Sequence, residues 1–322
     1  MININDLEKN GWEYGINKII NADCLEVMRK MPDNCVNLIV CDPPYFNIKG
    51  DFDFNMTKKQ WEELHSVLAV EFKRILTDNG SLLLFGHAKN IAYQQVIFDE
   101  YFNLENSLVW EKTECHTRKG VGQFRCFAPV TERILFYSKE NVNIENNCVT
   151  LCRDYLRSEI TKAKGDISFK KINSVFESAT NGGGVASAVL SLKKEIPAFI
   201  TKDHYLKLRQ WLNKKEYKYL KKEYEDLRRP FNNIFKLTDV MKFSQEVNIT
   251  GKYKHPTQKP PKLIEALIQT CSRGGDLVLD PMAGSFSTAR ACLDTGRNFI
   301  SCDMEKEYCE IGENRLKQQN LF

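Results

Sequence analysis

The sequence predicts an α/β fold in which a mostly parallel sheet is covered by helices on both faces. Three observations carry this. Short continuous apolar runs, Val36–Cys41, Ser81–Phe85 and Arg133–Tyr137, have strand length and lack the alternation of a half-exposed strand. Segments with a helical apolar period separate them, as crossover connections require. The C-terminal stretch reads strand, tight glycine turn, helix, strand, acid, which is the mononucleotide half of a doubly wound fold.

Taken in order, Lys18–Ala22 reads as a short buried strand closed by Asp23. Leu25–Met31 is a brief helix that Pro32 stops. Val36–Cys41 is the second strand. Thr57–Leu76 is helical, with Trp61, Leu64, Leu68, Phe72 and Leu76 three or four apart, and Asn79-Gly80 reads as its C-cap. Ser81–Phe85 is the third strand, Ile91–Asp99 a helix, and Ser107–Trp110 and Arg133–Tyr137 are strands. Residues 141–203 show little period. His204–Arg229 reads as one long amphipathic helix, with Leu208, Leu212, Leu220, Tyr224 and Leu227 on one stripe and Pro230 as its stop. The α/β pattern then resumes: helix Pro260–Cys271, strand Asp276–Leu279, helix Thr288–Thr295 closed by Gly296, and strand Asn298–Cys302. Three parts follow: 1–140, an inserted region 141–250, and 251–322.

Composition excludes several classes. No apolar run approaches the roughly 20 residues of a membrane span, and the N-terminus is not a signal peptide, so a cytoplasmic protein is expected. The 11 cysteines are odd in number and several lie inside apolar runs, which suits reduced, buried thiols rather than a disulfide framework. No Cys/His set has zinc spacing, so no metal site is expected. The net charge is only +4, but residues 151–230 hold 18 Lys/Arg against 10 Asp/Glu. Such a local excess suits either a polyanion partner or a solvated helical face.

Two stretches carry chemistry. Asp303 lies 19 residues after Gly284, near the interval at which an acid meets ribose hydroxyls. No G-x-G-x-x-G and no Walker lysine accompany it, so a nucleoside ligand without pyrophosphate fits better than NAD or ATP. The other stretch is Asp42-Pro43-Pro44-Tyr45. A nucleobase amino group is a weak nucleophile because its lone pair is delocalised into the ring. Two acceptors for its hydrogens, the Asp42 carboxylate and the Pro43 carbonyl, would favour a pyramidal nitrogen. The paired prolines would hold both acceptors rigid, and Tyr45 could stack on a base drawn from the duplex. The plain alternative is a proline turn ending a strand.

Together these stretches resemble one family, the amino-group DNA methyltransferases. CDPPYF (41–46) resembles their catalytic motif, LDPMAGSFST (279–288) their S-adenosylmethionine loop, and KHPTQKP (254–260) the motif for the cofactor's methionine end. IINADCLEVMRKMPDN (19–34) resembles the segment bearing on the cofactor's adenine, and FAPVTERILFYSK (127–139) a pocket-wall motif. The catalytic motif comes first and the cofactor loop last, the permuted order of the β group. The resemblance covers nearly the whole chain except about 141–250, where family members diverge to read their targets.

The resemblance implies a Rossmann-like methyltransferase fold with a seven-stranded, mostly parallel sheet and an inserted target-recognition region. It implies Asp42, Pro43, Pro44 and Tyr45 as the target-base pocket and S-adenosylmethionine as cofactor. Asp23 would then bear on the adenine and Asp303 on the ribose. Asp280, Met282, Gly284 and Ser285 would line the methionine moiety, with Thr257 and Lys259 at its carboxylate. The implied activity is methylation of adenine N6 in double-stranded DNA by base flipping and in-line transfer. Cytosine N4 is the close alternative, since it presents the same amino group, although family usage there leans to Ser in place of Asp42. A catalytically weak nucleic-acid-binding relative is the alternative from another class. A cognate restriction endonuclease and either a monomer or a homodimer are compatible with the resemblance. Two positions depart from the family pattern: Met282 stands where Phe is usual and Phe286 where a second glycine is usual.

Overall fold

The computed structural model describes residues 1–48, 56–113, 127–139, 148–179, 184–194, 197–213, 219–220, 227–245 and 258–317. Thr257 and Tyr224, both singled out from sequence, lie outside these residues. The chain runs β1 (Ile2–Asn3), α1 (Ile4–Asn10), a 3-10 turn (Trp12–Gly15), β2 (Ile19–Asn21), α2 (Cys24–Lys30), β3 (Val36–Cys41), α3 (Lys58–Ile75) and β4 (Leu76–Gly86). It continues with α4 (Ile91–Asp99), β5 (Asn103–Lys112), β6 (Thr131–Ser138), α5 (Cys148–Lys164), α6 (Phe169–Val175), α7 (Gly184–Leu190) and α8 (Lys202–Leu212). Last come β7 (Val240–Phe243), α9 (Pro261–Cys271), β8 (Leu277–Asp280), α10 (Ser287–Asp294), β9 (Asn298–Asp303) and α11 (Lys306–Lys317). Met1–Lys139 with Pro230–Phe322 form one compact unit and Glu140–Arg229 another.

Among the described residues the large unit is built on a nine-stranded sheet in the order β1-β2-β9-β8-β3-β4-β6-β5-β7. Of these described strands β6 alone runs against the rest, pairing antiparallel with β4 and β5. The sheet therefore has nine strands where the resemblance implies seven. Its edges are β1, two residues long, and β7, which lies in the stretch 141–250 expected to be inserted. Neither presents a long apolar run, so neither is visible as a strand in the sequence.

Alternation along each strand feeds two cores. On β3, Ile39 and Cys41 face a cluster that takes Leu68, Phe72 and Ile75 from α3. Leu38 and Val40 face the other way, into a cluster with Leu263, Leu267 and Ile268 of α9. Burial on both faces is why these strands read as continuous apolar runs.

One topological feature places the site. From β3 the chain passes through α3 to β4 on one side, and from β8 through α10 to β9 on the other. β3 and β8 are themselves hydrogen-bonded neighbours, Leu38 opposite Val278 and Ile39 opposite Leu279. The strand order thus reverses between them, and the crevice beyond their carboxyl ends is where open α/β sheets hold ligands. Asp42 follows one strand and Asp280 ends the other.

Three local readings of the sequence are corrected. Asn79-Gly80 is not the C-cap of α3. That helix ends at Ile75 and passes directly into β4. Pairing with β3 then jumps from Val36–Leu76 to Leu38–Ser81, so Asn79-Gly80 lies in a bulge. The long helix expected over His204–Arg229 stops at Leu212. The Asn213 side chain accepts from Tyr219 N (2.7 Å) and donates to the carbonyls of Arg209 (2.9 Å) and Tyr219 (2.7 Å), which turns the chain. Leu220 and Leu227 are still buried, but off the helix. The stretch 141–203, which shows little period, holds α5, α6 and α7. Cys152, Leu156 and Ile160 on α5 pack with Leu190 of α7 and Tyr205 and Leu208 of α8 in the small unit's own core. Among the described residues no helix is long and apolar enough to cross a membrane.

Candidate active site

Beyond the carboxyl ends of β2, β3, β8 and β9 lies a cavity of about 600 Å³. Asp23, Asp42, Pro43, Pro44, Tyr45, Lys259, Asp280, Met282, Gly284, Ser285 and Asp303 all line it. Two stretches some 240 residues apart in sequence thus share one cavity because β3 pairs with β8.

The loop after β3 is held by its backbone. Trp61 Nε1, on α3, donates to the Pro44 carbonyl at 2.7 Å. Asn90 Nδ2, just ahead of α4, donates to the carbonyls of Tyr45 (2.5 Å) and Phe46 (2.9 Å). Three successive carbonyls are thereby taken, and Phe46 and Asn47 adopt left-handed φ of 58° and 56°. Among the described residues no donor reaches the Pro43 carbonyl. An acceptor left open between fixed neighbours is what a preorganised contact to an amino group needs.

Asp42 is held by both carboxylate oxygens. Tyr45 Oη donates to Oδ1 and Lys259 Nζ to Oδ2, each at 2.5 Å. Glu132, on β6, lies 3.4 Å from both Tyr45 Oη and Lys259 Nζ through Oε2. Lys112 Nζ, on β5, reaches Glu132 Oε1 at 2.5 Å. The Lys259 ammonium also stands 5.3 Å from the ring centres of Tyr45 and Phe85, within cation–π range. Burial works against its charge, but Asp42 and Glu132 outweigh that and hold it above the usual lysine range. Burial, with the same two carboxylates, pushes the Tyr45 phenol well up and keeps it a donor.

The second loop is organised around two further acids. Asp280 ends β8 fully inside, and burial raises its carboxyl to about 7. A Thr288 hydrogen bond opposes the rise, and the charges of Asp42 and Asp303 add to it. Asp303 accepts from the backbone of Gly284 (2.8 Å) and of Glu305 (2.9 Å), which ties the end of β9 to the turn after β8. Gly284 and Phe286 both have positive φ, 50° and 56°. A left-handed non-glycine residue costs about 1–3 kcal/mol. Here the Phe286 ring is wholly buried, and burying such a ring returns roughly as much. Gly312 of α11 makes room for it: a Cβ there would meet the ring at 2.5 Å. Arg315, also on α11 and buried, donates to the Ser285 carbonyl at 2.8 Å. Asp23 has a local task, capping α2 through the backbone N–H of Leu25 (2.8 Å) and Glu26 (3.2 Å), while its position still borders the cavity.

Several site residues were not singled out from sequence. Glu132 lies inside the pocket-wall motif but carries no spacing signal of its own. Lys112 looks like an ordinary charged strand end. Tyr308, Glu305 and Thr288 line the cavity only because the turns after β8 and β9 fold back on each other. Helix α11, which braces the turn, shows only a modest apolar stripe.

The cavity's charge is one-sided. Asp23, Asp42, Glu132, Asp280, Asp303 and Glu305 line it, and Lys259 is the one cationic side chain among the described lining residues. Such a site disfavours a pyrophosphate and suits a ligand that carries positive charge.

Comparison with known proteins gives a family and a shared fold. A family model described as DNA methylase matches residues 36–314. The DNA adenine methyltransferase YhdJ of Escherichia coli K12 is 27% identical over 305 residues, covering 92% of this chain and 82% of its own length. The crystal structure of an M1.HpyAVI–SAM complex shares the fold with a TM-score of 0.54 at 19% identity, over 94% of this chain and 99% of that one. The cytosine-N4-specific PvuII DNA methyltransferase does so with a TM-score of 0.57 at 14% identity, over 94% and 87%.

Proposed function

This chain belongs to the DNA methylase family, whose model spans its residues 36–314, and on that premise we propose that it methylates the exocyclic N6 of adenine in double-stranded DNA, with S-adenosylmethionine as cofactor. The observation that carries the reading is the pairing of Asp42 and the open Pro43 carbonyl, on one wall of the cavity, with the turn from Asp280 to Ser285 and with Asp303.

The residues present suit that cofactor. Asp303 spends one lone pair of each oxygen on the backbone of Gly284 and Glu305, which leaves acceptor capacity for ribose hydroxyls. Asp280, Met282, Gly284 and Ser285 would border the methionine part and Asp23 the adenine. The acidic lining suits a sulfonium and an ammonium. The cofactor, when bound, supplies an electrophilic methyl group.

The chain's own part is to make an amine nucleophilic. Asp42 and the Pro43 carbonyl accept the two amino hydrogens, which draws the nitrogen lone pair out of conjugation. The rigid Pro43-Pro44 backbone, tied by Trp61 and Asn90, keeps both acceptors in place as the nitrogen turns pyramidal. Tyr45 borders the cavity and offers ring surface for an extruded base. The methylated nitrogen is acidic and loses its proton to solvent, so no covalent intermediate on the protein is needed. Asp at position 42 favours adenine over cytosine, as does the adenine activity in the name of the YhdJ relative. The basic excess in residues 151–230 supports the unit Glu140–Arg229 as the part that contacts phosphates and reads sequence.

The test is methylation of DNA with labelled cofactor, followed by digestion to nucleosides. Label in N6-methyldeoxyadenosine is the expected result. Label in N4-methyldeoxycytidine would move the activity to cytosine, and no label in DNA would overturn the reading.

A further inference from the structure

Family resemblance assigns Lys259 to the carboxylate of the cofactor, but its contacts lie elsewhere. Its ammonium is 2.5 Å from Asp42 Oδ2 and 3.4 Å from Glu132 Oε2, and the side chain is only 7% exposed. A buried ammonium is costly unless paired, so these two carboxylates fix where it sits. Glu132 is in turn held by Lys112 at 2.5 Å. Two carboxylates and two ammonium groups thus stand in one run of contacts, and the Tyr45 hydroxyl touches both acids.

From this arrangement we infer that Lys259 and Glu132 are positioning residues for the target amine: Glu132 anchors Lys259, and Lys259 fixes the edge of the Asp42 carboxylate that receives an amino hydrogen. The inference rests on the methyltransferase reading and deepens it. Asp42 is about a quarter exposed on its side chain and would otherwise rotate about its terminal bond. Charge-assisted bonds to opposite oxygens, from Lys259 on one side and Tyr45 on the other, remove that freedom and leave each oxygen a second lone pair. An amino group being pulled out of conjugation needs its acceptor in one place, and a displacement of about 1 Å is worth roughly a hundredfold in rate.

The experiment separates cofactor binding from transfer. Wild type, K259Q, K259R and E132Q are titrated with S-adenosylmethionine by calorimetry without DNA. They are then assayed in a single turnover with cofactor and DNA saturating. K259R keeps the buried charge, so it reports even if K259Q folds poorly. We expect K259Q to bind cofactor within about threefold of wild type but transfer roughly a hundredfold more slowly. K259R and E132Q should each slow transfer about tenfold with cofactor affinity unchanged. A Lys259 variant that loses tenfold or more in cofactor affinity, yet reaches the wild-type rate at saturation, overturns the inference and returns Lys259 to the cofactor. Wild-type protein that transfers no label to DNA would instead sink the methyltransferase reading itself, and the inference with it.

Discussion

Phe286 and Gly312 occupy one space: the ring of the first fills what a side chain on the second would need, with 2.5 Å between the ring and a Cβ built at 312. Phe286 sits at a left-handed position of the turn after β8, and a helix glycine 26 residues later gives its ring room. G312A should therefore cost about 1–3 kcal/mol by overpacking. In an F286A background the same change should cost less, because only the tip of Ile19, 2.7 Å from that Cβ, still crowds it. Urea unfolding of the four proteins of this cycle decides it. An equal cost of G312A in both backgrounds would show that the two residues are not coupled.

D42A should reduce methyl transfer by at least about a hundredfold, since one of two preorganised acceptors is lost. S-adenosylmethionine affinity should stay within a few-fold. Parallel loss of both would mean that Asp42 serves the cofactor pocket instead.

The loop that carries Asp42 depends on two donors that never touch the site's ligands in this scheme. W61F removes the bond to the Pro44 carbonyl while keeping a ring, and N90A frees the carbonyls of Tyr45 and Phe46. Each should lower the single-turnover rate by about 10- to 100-fold with cofactor affinity held. Unchanged rates in both would show that the prolines alone make the loop rigid.

Asp280 gives a pH signature. With its carboxyl raised to about 7 by burial, the folded protein binds a proton there that the unfolded chain releases near pH 4. Stability from this group therefore falls as pH rises from about 4 to 7 and is level above that. D280N cannot titrate, so between pH 5 and pH 7.5 it should gain on wild type by on the order of 2 kcal/mol in urea unfolding. A constant difference across that range would rule out a raised Asp280.

Where sequence sufficed, one residue's local chemistry decided the outcome. Val36–Cys41 and Ile91–Asp99 match the structure end to end because apolar runs and helical period are local signals. The two Asp-Pro loops were legible as chemistry, and β3–β8 pairing explains why they meet. What escaped depends on partners distant in the chain. Glu132 and Lys112 matter through each other, and Arg315 through the Ser285 carbonyl. β7 is a strand because β5 offers it an edge, with Val240 opposite Val109. The helix misread over His204–Arg229 had the right apolar spacing, but a single Asn213 side chain ended it by gripping Tyr219.

The pairing of β3 with β8 also has a consequence for synthesis. A ribosome releases residues 36–41 long before residues 277–280, so for most of translation one edge of β3 has no strand beside it. An apolar, unpaired edge is a template for wrong association. Chains cut short before Leu277 should therefore aggregate rather than persist as inert fragments, which sedimentation of truncated products would reveal. Such fragments also lack Asp280 and Asp303, so they carry Asp42 without the other wall of its cavity.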